Sequence, residues 1–190
     1  MSQTSVYTIG YGAREISEFI ALLLFYDIKY LLDVRSKPYS RYKPDFSKDV
    51  LERSLLRFGI RYVFMGDSLG GRPDDLDCYD AEGKVLYNQI ADKDFFQRGV
   101  ERVHRALEQE LSVVLMCSEG KPEICHRSKL IGKVLAAEGV QVCHIDENNR
   151  IISQQDIQLR LNQGQLSLFG DEFFEHTSRK RYNPQDEDGE

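Results

Sequence analysis

Cysteine is scarce in this chain, long apolar runs are missing and positive charge is not in excess, and each shortage removes a class of protein. Four cysteines among 190 residues (Cys78, Cys117, Cys125 and Cys143) are too few for a disulfide scaffold, so they are expected as thiols in a reducing compartment. The longest apolar run, residues 19–25, is far too short to span a bilayer, and the first residues lack the pattern of a signal peptide. A soluble, cytoplasmic protein with no membrane partner is expected. The formal net charge is −6, but residues 171–190 carry seven acids against three bases, which leaves only −2 on the first 170. A nearly neutral body argues against tight DNA binding driven by bulk positive charge. Internal repeats and low-complexity tracts are also lacking in the body of the chain.

What is present is enough for one core. At 41 % hydrophobic residues, 190 positions support one sizeable domain and not two. Short β-branched and aromatic runs at 6–9, 30–34, 61–65, 113–117 and 140–145 alternate with segments of helical period at 16–26, 48–58, 95–110 and 128–138. That alternation predicts an α/β domain with a mainly parallel five-stranded sheet flanked by helices. Ser47 stands where an N-cap is needed, and Gly59 and Gly139 stand where helices should stop. Ser153 and Asp156 have capping-box spacing at the start of a last helix that ends before Gly164. Residues 66–90 show no clear period and read as a long binding loop or lid. The domain is therefore placed at 1–163, followed by a short peptide at 164–170 and a disordered, charged tail at 171–190.

In a parallel sheet the ligand crevice lies outside the carboxyl ends of the strands, so the residues just after each strand matter most. After the first strand, Gly10 and Gly12 let the backbone approach a ligand and Tyr11 offers a ring or hydroxyl for stacking or bonding. The second strand ends in Asp33 and Arg35 and runs into Lys37, Arg41 and Lys43, with four cations and no acid over 34–44. Such a stretch suits a phosphate chain or nucleic-acid backbone. The fourth predicted strand delivers Cys117, then Glu119, then Cys125, His126 and Arg127 entering a helix. A cysteine facing a helix N-terminus has a lowered thiol pKa and draws anions, which makes Cys117 a candidate nucleophile. Glu119, His126 and Asp33 are candidate proton carriers, and Arg35, Arg41 and Arg127 candidate phosphate holders. A metal centre is not expected, because paired ligands at zinc-finger spacing are missing and Cys143 and His144 read as ordinary strand packing. No cofactor can be read from these residues.

The pieces Thr8-Ile9-Gly10-Tyr11-Gly12, Asp33-Val34-Arg35-Ser36-Lys37-Pro38, Gly59-Ile60-Arg61-Tyr62, Leu69-Gly70-Gly71 and Met116-Cys117-Ser118-Glu119, with Cys125-His126-Arg127, together resemble a bacterial family catalogued as domain of unknown function 488. The resemblance covers residues 5 to 150, with Tyr11 where many members have histidine and Ser118 where alanine is usual. It implies a compact α/β domain with functional residues at the strand ends and a loose association with DNA repair. A weaker similarity to rhodanese and cysteine-phosphatase domains rests on the Asp-Val-Arg strand end and the following cysteine loop, but Arg127 comes later after Cys117 than those loops allow. The peptide Gln165-Leu166-Ser167-Leu168-Phe169 resembles the sliding-clamp-binding motif of bacterial replication and repair proteins, with Leu168 and Phe169 as apolar anchors. The expectation is an enzyme, a hydrolase or transferase, acting on a nucleotide or nucleic acid and recruited by the bacterial sliding clamp. Two alternatives stay open: a thiol-dependent sulfurtransferase or phosphatase using Cys117, and a non-catalytic clamp adaptor.

Overall fold

The computed structural model describes residues 5–161 and 177–182. In chain order the elements are β1 (Ser5–Gly10), α1 (Ile16–Phe25), β2 (Tyr30–Asp33), α2 (Lys48–Leu56), β3 (Arg61–Phe64), α3 (Gly66–Leu69), β4 (Lys84–Leu86), α4 (Tyr87–Ala91), α5 (Asp94–Glu108) and β5 (Val113–Cys117). A π-turn (Arg127–Gly132) then runs into α6 (Lys133–Ala137), followed by β6 (Gln141–Ile145), β7 (Ile151–Ser153), α7 (Gln154–Leu161) and β8 (Thr177–Arg181).

The main sheet has six strands in the order β3-β2-β5-β1-β6-β7, parallel throughout except for the β6–β7 pair. Because successive side chains of a strand point to opposite faces, β5 feeds two cores. Val114 and Met116 join Phe19 and Leu23 of α1 and Leu51 and Leu55 of α2. Val113, Leu115 and Cys117 join Phe96, Val100 and Val103 of α5 and Leu130 and Ile131 of the π-turn. Every residue of β5 is buried, as a central parallel strand requires, and each buried aliphatic side chain contributes about 1.5–3 kcal/mol. No helix among the described residues is long and apolar enough to cross a membrane.

Most local signals act as expected. Gly59 and Gly139 take positive φ of 73° and 83° just past their helices, and Ser153 Oγ accepts the Asp156 N–H at 3.0 Å in front of α7. Ser47 occupies the N-cap position of α2, but its hydroxyl accepts the Ser40 N–H at 3.1 Å and makes no cap bond. Three expectations need correction. The sheet has a sixth strand, the three-residue β7, because Asp146 Oδ1 accepts the Asn148 and Arg150 N–H groups and turns the chain back along β6. Residues 66–90 are not one loop but carry α3, a 3-10 turn at Leu76–Cys78, β4 and most of α4. Within the segment read as a disordered tail, β8 pairs antiparallel with β4, and the Ser178 hydroxyl accepts the Val85 N–H at 2.9 Å. The clamp-like peptide at Gln165, Leu166, Leu168 and Phe169 lies outside the described residues.

Candidate functional site

β5 is flanked by β2 and β1, so its carboxyl end opens at the middle of the sheet and Cys117 stands there, in register with Gly10 of β1. A side chain at Gly10 would collide with the Glu119 carbonyl, and its Cβ would lie 2.6 Å from Arg127 Nη1. The glycine thus lets the loop after β5 close onto β1, which differs from the expected opening for a ligand. Beyond that loop the chain returns through a 3-10 turn at Pro122–Ile124 and presents Cys125 and His126 at the head of the π-turn. His126 Nδ1 lies 3.8 Å from both Cys117 Sγ and Cys125 Sγ. Its Nε2 is 3.0 Å from the Val34 carbonyl oxygen, which can only accept, so Nε2 carries a proton and Nδ1 is the atom turned toward the sulfurs. Gly71 packs on the other side of the ring, where a Cβ would sit 2.7 Å from His126 Cγ.

The hydrogen bond from Cys125 holds the Cys117 thiol well below the ordinary thiol range; His126 and the Arg127 charge act in the same direction and burial against it. Burial, and then the Cys117 neighbour, push Cys125 up. The two thiols therefore part with their first proton at Cys117, which is the pattern of a reactive cysteine with a supporting donor.

A cavity of about 40 Å³ adjoins this cluster and is lined by Cys117, Cys125 and His126. Among the described residues its other charged walls are five cations, Arg35, Lys37, Arg72, Arg179 and Lys180, against one carboxylate, Glu119. Asp33 Oδ1 accepts Arg35 Nε at 2.9 Å, and Asp33 Oδ2 accepts Arg35 Nη2 and the Tyr62 hydroxyl at 2.6 Å each. Burial works against the Arg35 charge, and the Asp33 carboxylate more than offsets it, raising the guanidinium pKa. Arg35 Nη1 is buried with no hydrogen-bond partner among the described residues. An unmatched donor on a 3 % exposed cation at a cavity wall is a feature that an anion would satisfy. A second cavity of about 260 Å³ adjoins the first, sharing Ser36, Lys37, Arg72 and Tyr182 and adding the rings of Phe64 and Tyr79.

A family model described as Domain of unknown function DUF488 matches residues 15–134. The chain belongs to the DUF488 family. No curated protein and no solved structure matches it. The DUF488 match spans α1 to the first turn of α6, and so contains Asp33, Arg35, Cys117, Glu119, Cys125 and His126. The glycine loop after β1 and the cations of β8 fall outside it.

Of the residues expected at the site, the fold brings together Cys117, Glu119, His126 and Arg35. Four others sit elsewhere. Tyr11 is buried, stacks on Phe46 with ring centroids 4.3 Å apart and donates its hydroxyl to Ser40. Arg41 is exposed and is not among the residues lining the cavity. Arg127 is fully buried behind the cluster, where its Nη2 donates to the Gly120 carbonyl at 2.9 Å. Asp33 is occupied by Arg35 and Tyr62. The fold adds Arg72, Tyr87, Arg179 and Lys180, which the sequence reading missed. The run Arg179-Lys180-Arg181 inside an otherwise acidic segment was the available signal.

Proposed function

We propose that this DUF488 protein is an enzyme of nucleotide or nucleic-acid metabolism, a hydrolase or transferase that takes a phosphate-bearing substrate at the carboxyl end of β5. The observation that carries the reading is five cations facing one carboxylate around a cavity that also holds the Cys117, Cys125 and His126 cluster. Excess positive charge in a recess of low dielectric focuses anions, and arginine forks match phosphate oxygens. The small cavity receives the reacting phosphoryl group. The larger one, with Phe64, Tyr79 and Tyr182 on its walls, receives the sugar or base. Asp33 acts as a positioning residue that fixes the Arg35 fork, and Glu119 serves as the proton carrier. Recruitment to DNA by the sliding clamp through Gln165, Leu166, Leu168 and Phe169 completes the proposal.

A second reading, a thiol-dependent phosphatase or sulfurtransferase, is favoured by one observation, the lowered thiol pKa of Cys117 beside Cys125. It uses the same anion pocket, so substrate binding tests both. In calorimetric titrations of the full chain with pyrophosphate and nucleoside mono-, di- and triphosphates at low salt, at least one probe binds with submillimolar affinity. Arg72→Ala and Arg179→Ala each weaken it about tenfold, as loss of one charge-assisted contact implies. Absence of binding by every probe, or affinity unchanged in both variants, would remove the phosphate-bearing substrate from consideration.

A further inference from the structure

The ligand atoms of Cys117, Cys125 and His126 all lie within 4.8 Å of one another, and the three residues are buried. A tetrahedral zinc ion with bonds of about 2.3 Å to sulfur and 2.0–2.1 Å to nitrogen sets its ligands about 3.6 Å (S to N) and about 3.8 Å (S to S) apart. The two sulfur-to-Nδ1 distances are both 3.8 Å, within a few tenths of an ångström of the tetrahedral S-to-N separation, and the sulfurs lie within 4.8 Å of each other. The geometry points to a zinc-class divalent cation held by Cys117 Sγ, Cys125 Sγ and His126 Nδ1, with its fourth position turned into the cation-lined cavity.

Two features beyond the distances support this assignment. His126 Nε2–H donates to the Val34 carbonyl, which fixes the tautomer that leaves Nδ1 as the coordinating atom; metal-bound histidines have this outer partner as a rule. All three ligands line one cavity of about 40 Å³, room for a few waters where about 10–15 Å³ holds one. Three protein ligands and an open, wet fourth position are the arrangement of a catalytic zinc site, whereas structural sites are closed by four protein ligands. Spacing had argued against a metal because the cysteines are not a Cys-x-x-Cys pair. The fold supplies the pairing instead, by returning the chain through Pro122–Ile124 so that the end of β5 meets the head of the π-turn.

Binding displaces the two thiol protons to solvent and leaves the metal with two thiolates and a neutral imidazole, a centre of no net charge among the surrounding arginines. The fourth position opens on the cavity that Glu119 and the cations also line. The metal site itself does not depend on the substrate reading.

The test uses the full-length chain, reduced and stripped with a chelator, titrated with Co²⁺ and then with Zn²⁺. One equivalent of Co²⁺ is expected to give thiolate-to-cobalt charge-transfer absorption, which one equivalent of Zn²⁺ abolishes. X-ray absorption of the zinc-loaded chain should show two sulfurs at about 2.3 Å and nitrogen or oxygen at about 2.0–2.1 Å. Cys117→Ser, Cys125→Ser and His126→Gln each lower affinity by about a hundredfold or more, whereas Cys143→Ser does not. Zinc also protects Cys117 from iodoacetamide. No thiolate-to-cobalt band from the wild-type chain, or alkylation of Cys117 unchanged by stoichiometric zinc, overturns the site. Either result, with phosphate binding intact, leaves the substrate reading standing and gives Cys117 the nucleophile's role. Both measurements on the wild-type chain stand even if a variant fails to fold.

Discussion

Buried residues of this sheet that do not line the cavity carry as much information as those that do. His144 is fully buried; its Nε2–H donates to the Gln154 side-chain oxygen at 2.6 Å, and its Nδ1 lies 2.7 Å from the Thr8 hydroxyl, which can donate to the neutral ring. Burial first, and the Arg127 charge second, lower its pKa from the ordinary 6.5 to about 3. The unfolded chain therefore takes up this proton as the pH drops below 6.5, whereas the native ring resists it until about pH 3. The stability tied to the neutral ring is complete above the unfolded value and is lost as pH falls toward the folded one, at up to ~1.4 kcal/mol per pH unit. Urea unfolding of His144→Gln, which cannot titrate, should show a pH slope between those limits shallower by about one proton. An unchanged slope would mean that the ring is already charged in the native state. Sequence placed His144 in a core strand, but the hydroxyl and amide partners come from residues 136 positions before it and 10 after it, beyond local reading.

Among the elements, the β4–β8 pair is the least expected and the closest to the site. Thr177–Arg181 has no apolar alternation, so its order comes from partners: Ser178 Oγ accepts the Val85 N–H, Arg181 reaches Glu82 at 2.7 Å, and the Arg72 guanidinium lies 4.2 Å from the Tyr182 ring centroid. This pairing carries Arg179 and Lys180 to the cavity wall. Replacing Ser178 by alanine leaves the Val85 N–H in a buried place with no acceptor, at a cost of about 1–3 kcal/mol to this element. Hydrogen exchange at Val85 should accelerate about 10-fold or more while amides of β5 keep their protection. Equal protection at Val85 in the variant would show that the Ser178 bond is not what secures β8.

On the scale of the whole molecule, charge is distributed unevenly: the chain is −6 overall, yet its crevice gathers five cations around one acid. A protein of that balance gains little from general attraction to DNA and more from a tether, because a linker raises local concentration without any new contact. Gln165 to Phe169 stand in sequence between α7 and β8, the two elements that bracket the 162–176 segment. Saturable binding of the full chain to a bacterial sliding clamp, at about micromolar Kd and lost in Leu168→Ala/Phe169→Ala, is the expected result. Binding unaffected by that double change, or none at all, would end the recruitment proposal and leave the crevice untouched. By itself the sequence determined the α/β class, the five core strands, the helix stops at Gly59 and Gly139 and the Cys117-to-Arg127 region as the place to look, because these follow from periodicity and from local backbone rules. Only the tertiary structure decided which polar residues share the site. Asp33 was drawn to Arg35, Arg127 was buried behind the cluster, and Arg72 and Arg179 were brought in, since such pairings depend on contacts between segments far apart in the chain.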